Sequence, residues 1–212
     1  MKTALITGVS GQDGAYLASF LIKKGYQVIG TVRSYRSINT RSLDLIKITD
    51  KIILEELDLL DMANVISILN KYNPDEVYNL AAQSSVGLSF AQPLGTFSFN
   101  TISVNNLLEA IRLFHPKLKL YQASSSEMFG HVLKLPIDMD TPMKPASPYG
   151  VSKMASHFMI STYRNAYNLF ICSGILFNHE SILRSKIFFI KKVIIESLNI
   201  KYGSRKNYSW KS

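Results

Sequence analysis

The sequence contains a single cysteine, Cys172, among 212 residues, so neither an internal disulfide framework nor a cysteine zinc cluster can be assembled from it, and no metal site is expected. No apolar run reaches 18 residues, which excludes a membrane-spanning helix, and the opening MKTALITG is too short an apolar run for a signal peptide. A soluble, cytoplasmic chain with no membrane partner is the expectation. Internal repeats and low-complexity linkers are absent as well. Acidic residues are scarce, 15 against 24 Lys and Arg for a net charge of +9, which raises the question of nucleic acid. Eight of those basic residues and only one acidic residue lie at or after Arg184. The surplus therefore belongs to the C-terminal tail, and such a basic terminus reads as a solvated end with no nucleic-acid partner.

The remainder is ordinary globular composition, 47% hydrophobic and 18% charged. The length suffices for one domain with a sizeable core, or for one domain plus a fragment of a second. Apolar runs alternate with helical patterns. TALIT reads as a strand, AYLASFLIKKG as an amphipathic helix ending at Gly25, and YQVIGTVR and KIILEELD as further strands. DMANVISILNKYN is a helix stopped by Pro74, DEVYNLAA a strand, and LGTFSFNTISVNNLLEAIRLF a long helix. LKLYQASS, PYGVSKMASHFMISTYRNAY and LFICSGILF follow as strand, helix and strand. Strands separated by single helices define an α/β fold, a Rossmann-type doubly wound parallel sheet with helices on both faces.

In such a sheet the ligand lies beyond the carboxyl ends of the strands, where the strand order reverses. The first of these ends carries TGVSGQDG, with Gly8, Gly11 and Gly14 spaced G-x-x-G-x-x-G between strand and helix. Glycines there allow a tight turn and let a pyrophosphate approach the backbone at a helix N-terminus. A carboxylate at the end of the second strand would take an adenosine ribose 2′-hydroxyl; TVRSYRS offers Arg33 and Arg36 instead. Guanidinium groups suit a 2′-phosphate, so NADP is expected over NAD. In SPYGVSK, Tyr149 and Lys153 stand four apart and share one helix face. A free tyrosine, with a pKa of about 10, is a poor base at neutral pH, and a neighbouring ammonium favours its phenolate. ASSSEMFG, at the end of the fifth strand, adds Ser125 as a hydrogen-bond donor to a substrate oxygen and Glu127 as a carboxylate able to move a second proton.

With these residues assembled, the chain resembles the extended short-chain dehydrogenases/reductases, and among them the GDP-mannose 4,6-dehydratase family. ITGVSGQDGAYLA, the R-x-x-R-S-x-N-T run ending at Thr40, LAAQSSVGLSF, YQASSSEMFG, SPYGVSK and GILFNHES carry the resemblance from residue 3 to about residue 205. It implies GDP-mannose as substrate and a reaction in which Tyr149, aided by Lys153, removes the 4-hydroxyl proton while hydride passes to NADP⁺. Glu127 then abstracts the proton on carbon 5, water leaves from carbon 6, and the hydride returns there. The cofactor contacts it implies are Gly8, Val9, Ser10, Gly11, Gln12, Asp13 and Gly14, with Arg33, Arg36, Asp58 and Leu59. Leu80, Ala81, Ala82, Gln83 and Ser84, then Tyr149, Lys153, His179 and Arg184 complete that set. Ser85, Ser125, Glu127 and Asn178 would touch substrate. Four positions depart from the family pattern: Ser125 where Thr is usual, Gly95 where a cofactor-contacting Tyr is common, Ala146 where Arg is, and Ile182 where Pro is.

The resemblance further implies a C-terminal substrate-binding domain that would be largely missing here, with residues 1–180 as the NADP-binding domain and 181–205 as the start of the second. Inserting one base after Arg205 converts an AT-rich coding of KNYSWKS into Glu-Lys-Ile-Ile-Leu-Gly-Asn, close to the family's continuation. Residues 206–212 are therefore expected to be a frameshift tail, and the chain to expose apolar faces, with poor solubility or dependence on a partner chain. The family assembles as homo-oligomers. The alternatives are a non-catalytic NADP-binding remnant, or a related nucleotide-sugar epimerase or reductase.

Overall fold

The computed structural model describes residues 1–186 and 188–202, so the expected tail at 206–212 lies outside the described residues. The chain divides into two compact units, Met1–Asn178 and a second beginning at His179.

The first unit holds six strands, β1 (Thr3–Thr7), β2 (Gln27–Val32), β3 (Ile53–Glu56), β4 (Glu76–Asn79), β5 (Lys119–Ser125) and β6 (Ile171–Leu176). Between them run α1 (Gln12–Lys23), α2 (Arg41–Leu45), α3 (Met62–Tyr72), α4 (Val86–Ala91), α5 (Pro93–Phe114) and α6 (Pro148–Tyr167). The strands form one sheet in the order β3-β2-β1-β4-β5-β6, every pair parallel. The order reverses between β1 and β4, which makes that gap the topological switch point of a doubly wound sheet.

Local chemistry explains the element ends. Asp61 caps α3 by accepting from the N–H groups of Ala63 and Asn64, and the helix closes on Asn73 in the left-handed region with φ 38°. Ser147 caps α6 by accepting from Gly150 N–H, Pro148 opens its first turn, and Asn168 at φ 52° ends it. Strands β3 and β6 are shorter than the expected 51–58 and 169–177, and two further boundaries differ for a local reason. Helix α1 begins at Gln12, three residues before the amphipathic run, because its first turn stands at the ligand end of the sheet, where side chains are not sorted by burial. Strand β4 stops at Asn79, short of the expected Ala82, because the N–H groups of Leu80 and Ala81 leave the ladder for the Thr7 hydroxyl, 3.2 Å from each. Helices α2 and α4 are too short to show a period and were not anticipated.

The sheet is buried on both faces. On one, Leu5, Val77, Leu120 and Ile171 are buried with Val65, Leu69, Leu107, Leu108 and Ile111 of α3 and α5 and Ile160 of α6; on the other, Ala4, Ile6 and Val28 are buried with Ala15, Ala18 and Leu21 of α1. These apolar layers fix the heights of the helices over the sheet, and so decide which side chains reach its carboxyl edge. The second unit contains α7 (Phe189–Lys201). Ahead of it, Arg184 lies over the Phe188 ring at 3.6 Å and pairs with Glu180 at 3.5 Å. No helix of the described residues is long and apolar enough to cross a membrane.

Candidate active site

The glycine turn after β1 is packed too closely for side chains. Gly8 adopts φ +69°, and a Cβ there would stand 3.0 Å from the backbone of Ala81. A Cβ on Gly14 would stand 2.4 Å from the Gly8 carbonyl oxygen, so α1 approaches the turn as closely as backbone allows. The turn is closed by Gly11 N–H donating to Gly8 O at 3.0 Å, and Gly11, the residue before α1, makes no side-chain cap. A 12-residue helix thus starts toward the edge of the sheet without a capping side chain, which is the backbone arrangement that a dinucleotide pyrophosphate fits. Val9 is buried and packs over Gly30 of β2, so it serves the turn by packing.

One strand over, β2 ends at Val32 and delivers Arg33 and Arg36 to an exposed loop. Ser34 caps the short turn that carries Arg36. Beyond β3, Asp58 accepts from Leu60 N–H at 3.0 Å, and Leu59 is buried with its carbonyl held by Asn106. Beyond β4, the loop at 80–84 is held from outside. Asn100 on α5 accepts from Gln83 N–H at 2.9 Å and donates to Gln83 O at 3.1 Å and to Ser152 Oγ at 3.0 Å. The Gln83 side chain is itself occupied by Thr96 and the Ser85 backbone, and Ser85 caps α4.

The candidate catalytic residues meet where α6 begins. Tyr149 and Lys153 are buried on one face of α6, the ammonium 5.9 Å from the phenol ring centroid. Lys153 Nζ donates to the Ala123 carbonyl of β5 at 3.0 Å, and burial pulls its pKa down to about 8. The turn that follows β5 is locked against the same helix start: a Cβ on Gly150 would stand 2.6 Å from Glu127 O. Ser125 Oγ accepts from Glu127 N–H at 3.3 Å, which shapes this turn and leaves the hydroxyl proton to donate elsewhere. Asn178 ends the first unit, and His179 and Arg184 belong to the second. Among the described residues, no group of three His, Cys, Asp or Glu side chains is placed to hold a metal ion.

Four polar residues that sequence reasoning passed over sit beneath this edge. Thr7, Asn79 and Gln122 are buried and face one another in register on β1, β4 and β5, and Asn100 is buried on α5. The available signal was a polar residue two places after a core residue on each strand: Thr7 after Leu5, Asn79 after Val77 and Gln122 after Leu120.

A doubly wound sheet with a glycine turn at its switch point and a Tyr-x-x-x-Lys helix beside the fifth strand defines an extended short-chain dehydrogenase/reductase. Comparison narrows the class: the sequence profile of the GDP-mannose 4,6-dehydratase family matches residues 5–210, and the chain belongs to that family. It is 43% identical over 210 residues to the GDP-mannose 4,6-dehydratase of Yersinia enterocolitica, covering 96% of this chain and 56% of that protein. With the human GDP-mannose 4,6-dehydratase it shares 39% over 216 residues, covering 98% of this chain and 58% of the relative. The chain thus spans about half the length of the curated relatives it matches. Among solved structures it is similar to the dTDP-glucose 4,6-dehydratase of Streptomyces venezuelae (TM-score 0.83, 20% identity, 95% of this chain and 62% of that one). It is also similar to the UDP-glucose 4-epimerase of Brucella ovis, solved in complex with NAD (TM-score 0.75, 27% identity, 84% and 52%).

Proposed function

We propose that this chain carries the cofactor-binding and proton-transfer half of a GDP-mannose 4,6-dehydratase, which removes water from GDP-mannose to give GDP-4-dehydro-6-deoxymannose. The observation that carries this reading is the meeting of Tyr149 and Lys153 with the Ser125–Glu127 turn at the start of α6. Family membership and the named relatives support it.

A nicotinamide dinucleotide fits the glycine turn, and it supplies a reversible acceptor for the hydride of carbon 4. Gly8 to Gly14 would take its pyrophosphate, with Asp58, Leu59 and residues 80–84 beside it; His179 and Arg184 are proposed as cofactor contacts by likeness to the family. Arg33 and Arg36, two cations with no carboxylate of their own on the loop after β2, favour the 2′-phosphate of NADP.

The chain's own residues then move protons. Tyr149 Oη takes the proton of the 4-hydroxyl, and Lys153, cationic at neutral pH with a pKa of about 8, stabilises the phenolate. The Ser125 hydroxyl donates to the oxygen on carbon 4 as it becomes a carbonyl. The ketone acidifies carbon 5, and the Glu127 carboxylate takes that proton and delivers it to the departing oxygen on carbon 6, releasing water. The product is complete once carbon 6 regains the hydride that the dinucleotide would hold and carbon 5 regains a proton, balancing the one that Tyr149 took. Ser85 and Asn178 are proposed substrate contacts. On this reading residues 1–180 form the cofactor domain and 181–205 open the substrate domain.

The test is mass spectrometry of the nucleotide sugar after incubating the purified chain with GDP-mannose and NADP⁺, beside Tyr149→Phe. A product lighter by one water, abolished by the substitution, is expected. Cofactor binding without product would refute catalysis by this chain and leave a dinucleotide-binding remnant.

A further inference from the structure

The three buried polar side chains beneath the site form a row with a direction. Thr7 Oγ1 accepts from the N–H groups of Leu80 and Ala81, each at 3.2 Å, so its lone pairs are committed and its one proton goes to Asn79 Oδ1. With its oxygen taken, Asn79 must present nitrogen on its other side, and Nδ2 donates to Gln122 Oε1 at 2.6 Å. Gln122 in turn donates through Nε2 to the Ala123 carbonyl at 3.0 Å, the same oxygen that receives Lys153 Nζ at 3.0 Å. Turning both amides over would set Asn79 Nδ2 against the Thr7 proton and Gln122 Oε1 against Ala123 O. Only one sense satisfies every group, and it is set at Thr7.

The row spans the gap between the proposed dinucleotide turn and the base of the catalytic helix. At one end are the backbone N–H groups of Leu80 and Ala81, and Gly8 packs on Ala81 so closely that a Cβ would lie 3.0 Å away. At the other end is the carbonyl that holds a buried ammonium. Thr7 and Asn79 are fully buried and Gln122 is 1% exposed, so no solvent reorients them, and aligned dipoles count for most where water is absent.

We propose that Thr7, Asn79 and Gln122 are positioning residues for Lys153: a one-directional hydrogen-bonded row that ties the backbone of the loop after β4 to the carbonyl on which the ammonium rests. The proposal rests on the reading of Tyr149 and Lys153 as the proton-transfer pair. A ligand that turns the 80–81 backbone changes the start of the row and is felt at Lys153, and by linkage the protonation of Lys153 is felt at the ligand. The row arrives at Ala123 with its N–H end, the positive end of three aligned dipoles, and so opposes the ammonium. The titratable groups around Lys153 are Tyr149 and His157 on its own helix and Glu127 on the turn after β5, while β1, β4 and β5 present the neutral Thr7, Asn79 and Gln122. His157 is held by Ser124 and Ser173 at 2.9 and 3.0 Å, and burial, then Arg164, lowers its pKa, so it stays neutral through the range where Lys153 titrates.

The test is a lysine-selective NMR titration of the 212-residue chain, with Lys153 assigned through Lys153→Arg. The wild-type signal is expected to titrate near pH 8. Thr7→Val keeps the shape but removes the proton that sets the direction; an upward shift of about half a pH unit, about threefold in proton affinity, is expected, with Thr7→Ser restoring the original midpoint. A folded Thr7→Val protein whose Lys153 midpoint is unmoved overturns the row. Should Thr7→Val fail to fold, Asn79→Asp takes its place, because a carboxylate cannot donate to Gln122; an upward shift of about one unit or more is expected, and no shift overturns the proposal. The titration needs no turnover. A shifted Lys153 in a chain that makes no product leaves the row standing and removes the catalytic reading; an active chain with an unmoved Lys153 does the reverse.

Discussion

Two helical glycines allow the closeness of α1 to the turn after β1 to be measured, because the same substitution should have opposite signs at each. Gly14 lies in α1 and Gly95 in α5. In a helix, Ala in place of Gly stabilises by about 0.8–1 kcal/mol through reduced freedom of the unfolded chain. At Gly95 a Cβ meets nothing within 4 Å, so Gly95→Ala should keep most of that gain, about 0.5–1 kcal/mol after allowance for its place in the first turn. At Gly14 the Cβ would meet Gly8 O at 2.4 Å and Val9 Cα at 2.7 Å, all of it backbone that no rotamer can move aside. Relief requires α1 to lift from the turn, and overpacking of this kind costs about 1–3 kcal/mol, so the net effect of Gly14→Ala should be a loss of about 0–2 kcal/mol. Urea unfolding followed by far-ultraviolet circular dichroism gives both numbers, and fluorescence titration with NADPH should show weakened binding for Gly14→Ala alone. Equal stabilisation by the two substitutions, with cofactor binding unchanged, would refute the claim that α1 sits against the Gly8 carbonyl.

Glu109 accepts both guanidinium bonds of Arg112 and the hydroxyl of Tyr163, and these hold its pKa at about 2 against an ordinary 4.5. A folded value below the unfolded one means that this stabilisation is complete above about pH 4.5 and drains as pH falls through about 2. With the carboxylate a third exposed, screening reduces it to about 1 kcal/mol, and acid titration of Glu109→Gln beside wild type should show the difference vanish at low pH. Asn100→Ala would strip the Gln83 backbone of both partners, costing about 2–3 kcal/mol, and hydrogen exchange at the Gln83 amide should accelerate more than exchange in β1. Replacing Arg33 and Arg36 together by Ala should weaken NADP⁺ by about 10–100-fold and leave NAD⁺ nearly unchanged in paired calorimetric titrations; equal loss for both would refute a 2′-phosphate contact.

Much of the fold was legible because its signals are local. Strand β1 was readable from five residues, and α6 from Ser147, Pro148 and the helical period up to Asn168, since caps and periodicity act within a turn or two of the chain. The glycine spacing and the Tyr149–Lys153 pair were readable for the same reason. Short helices such as α2 and α4 were not, because five or six residues cannot display a period.

The sequence by itself determined the alternation of strands and helices, the glycine spacing of the turn after β1 and the residue types placed at each strand end. Only the tertiary structure decided the order β3-β2-β1-β4-β5-β6, which brings Gly8 against Ala81 and seats Lys153 on Ala123. Thr7, Asn79 and Gln122 stand 72 and 43 residues apart along the chain, and their hydrogen bonds depend on cross-strand register. Register is set by how apolar layers pack over the whole sheet, and no window of sequence contains it.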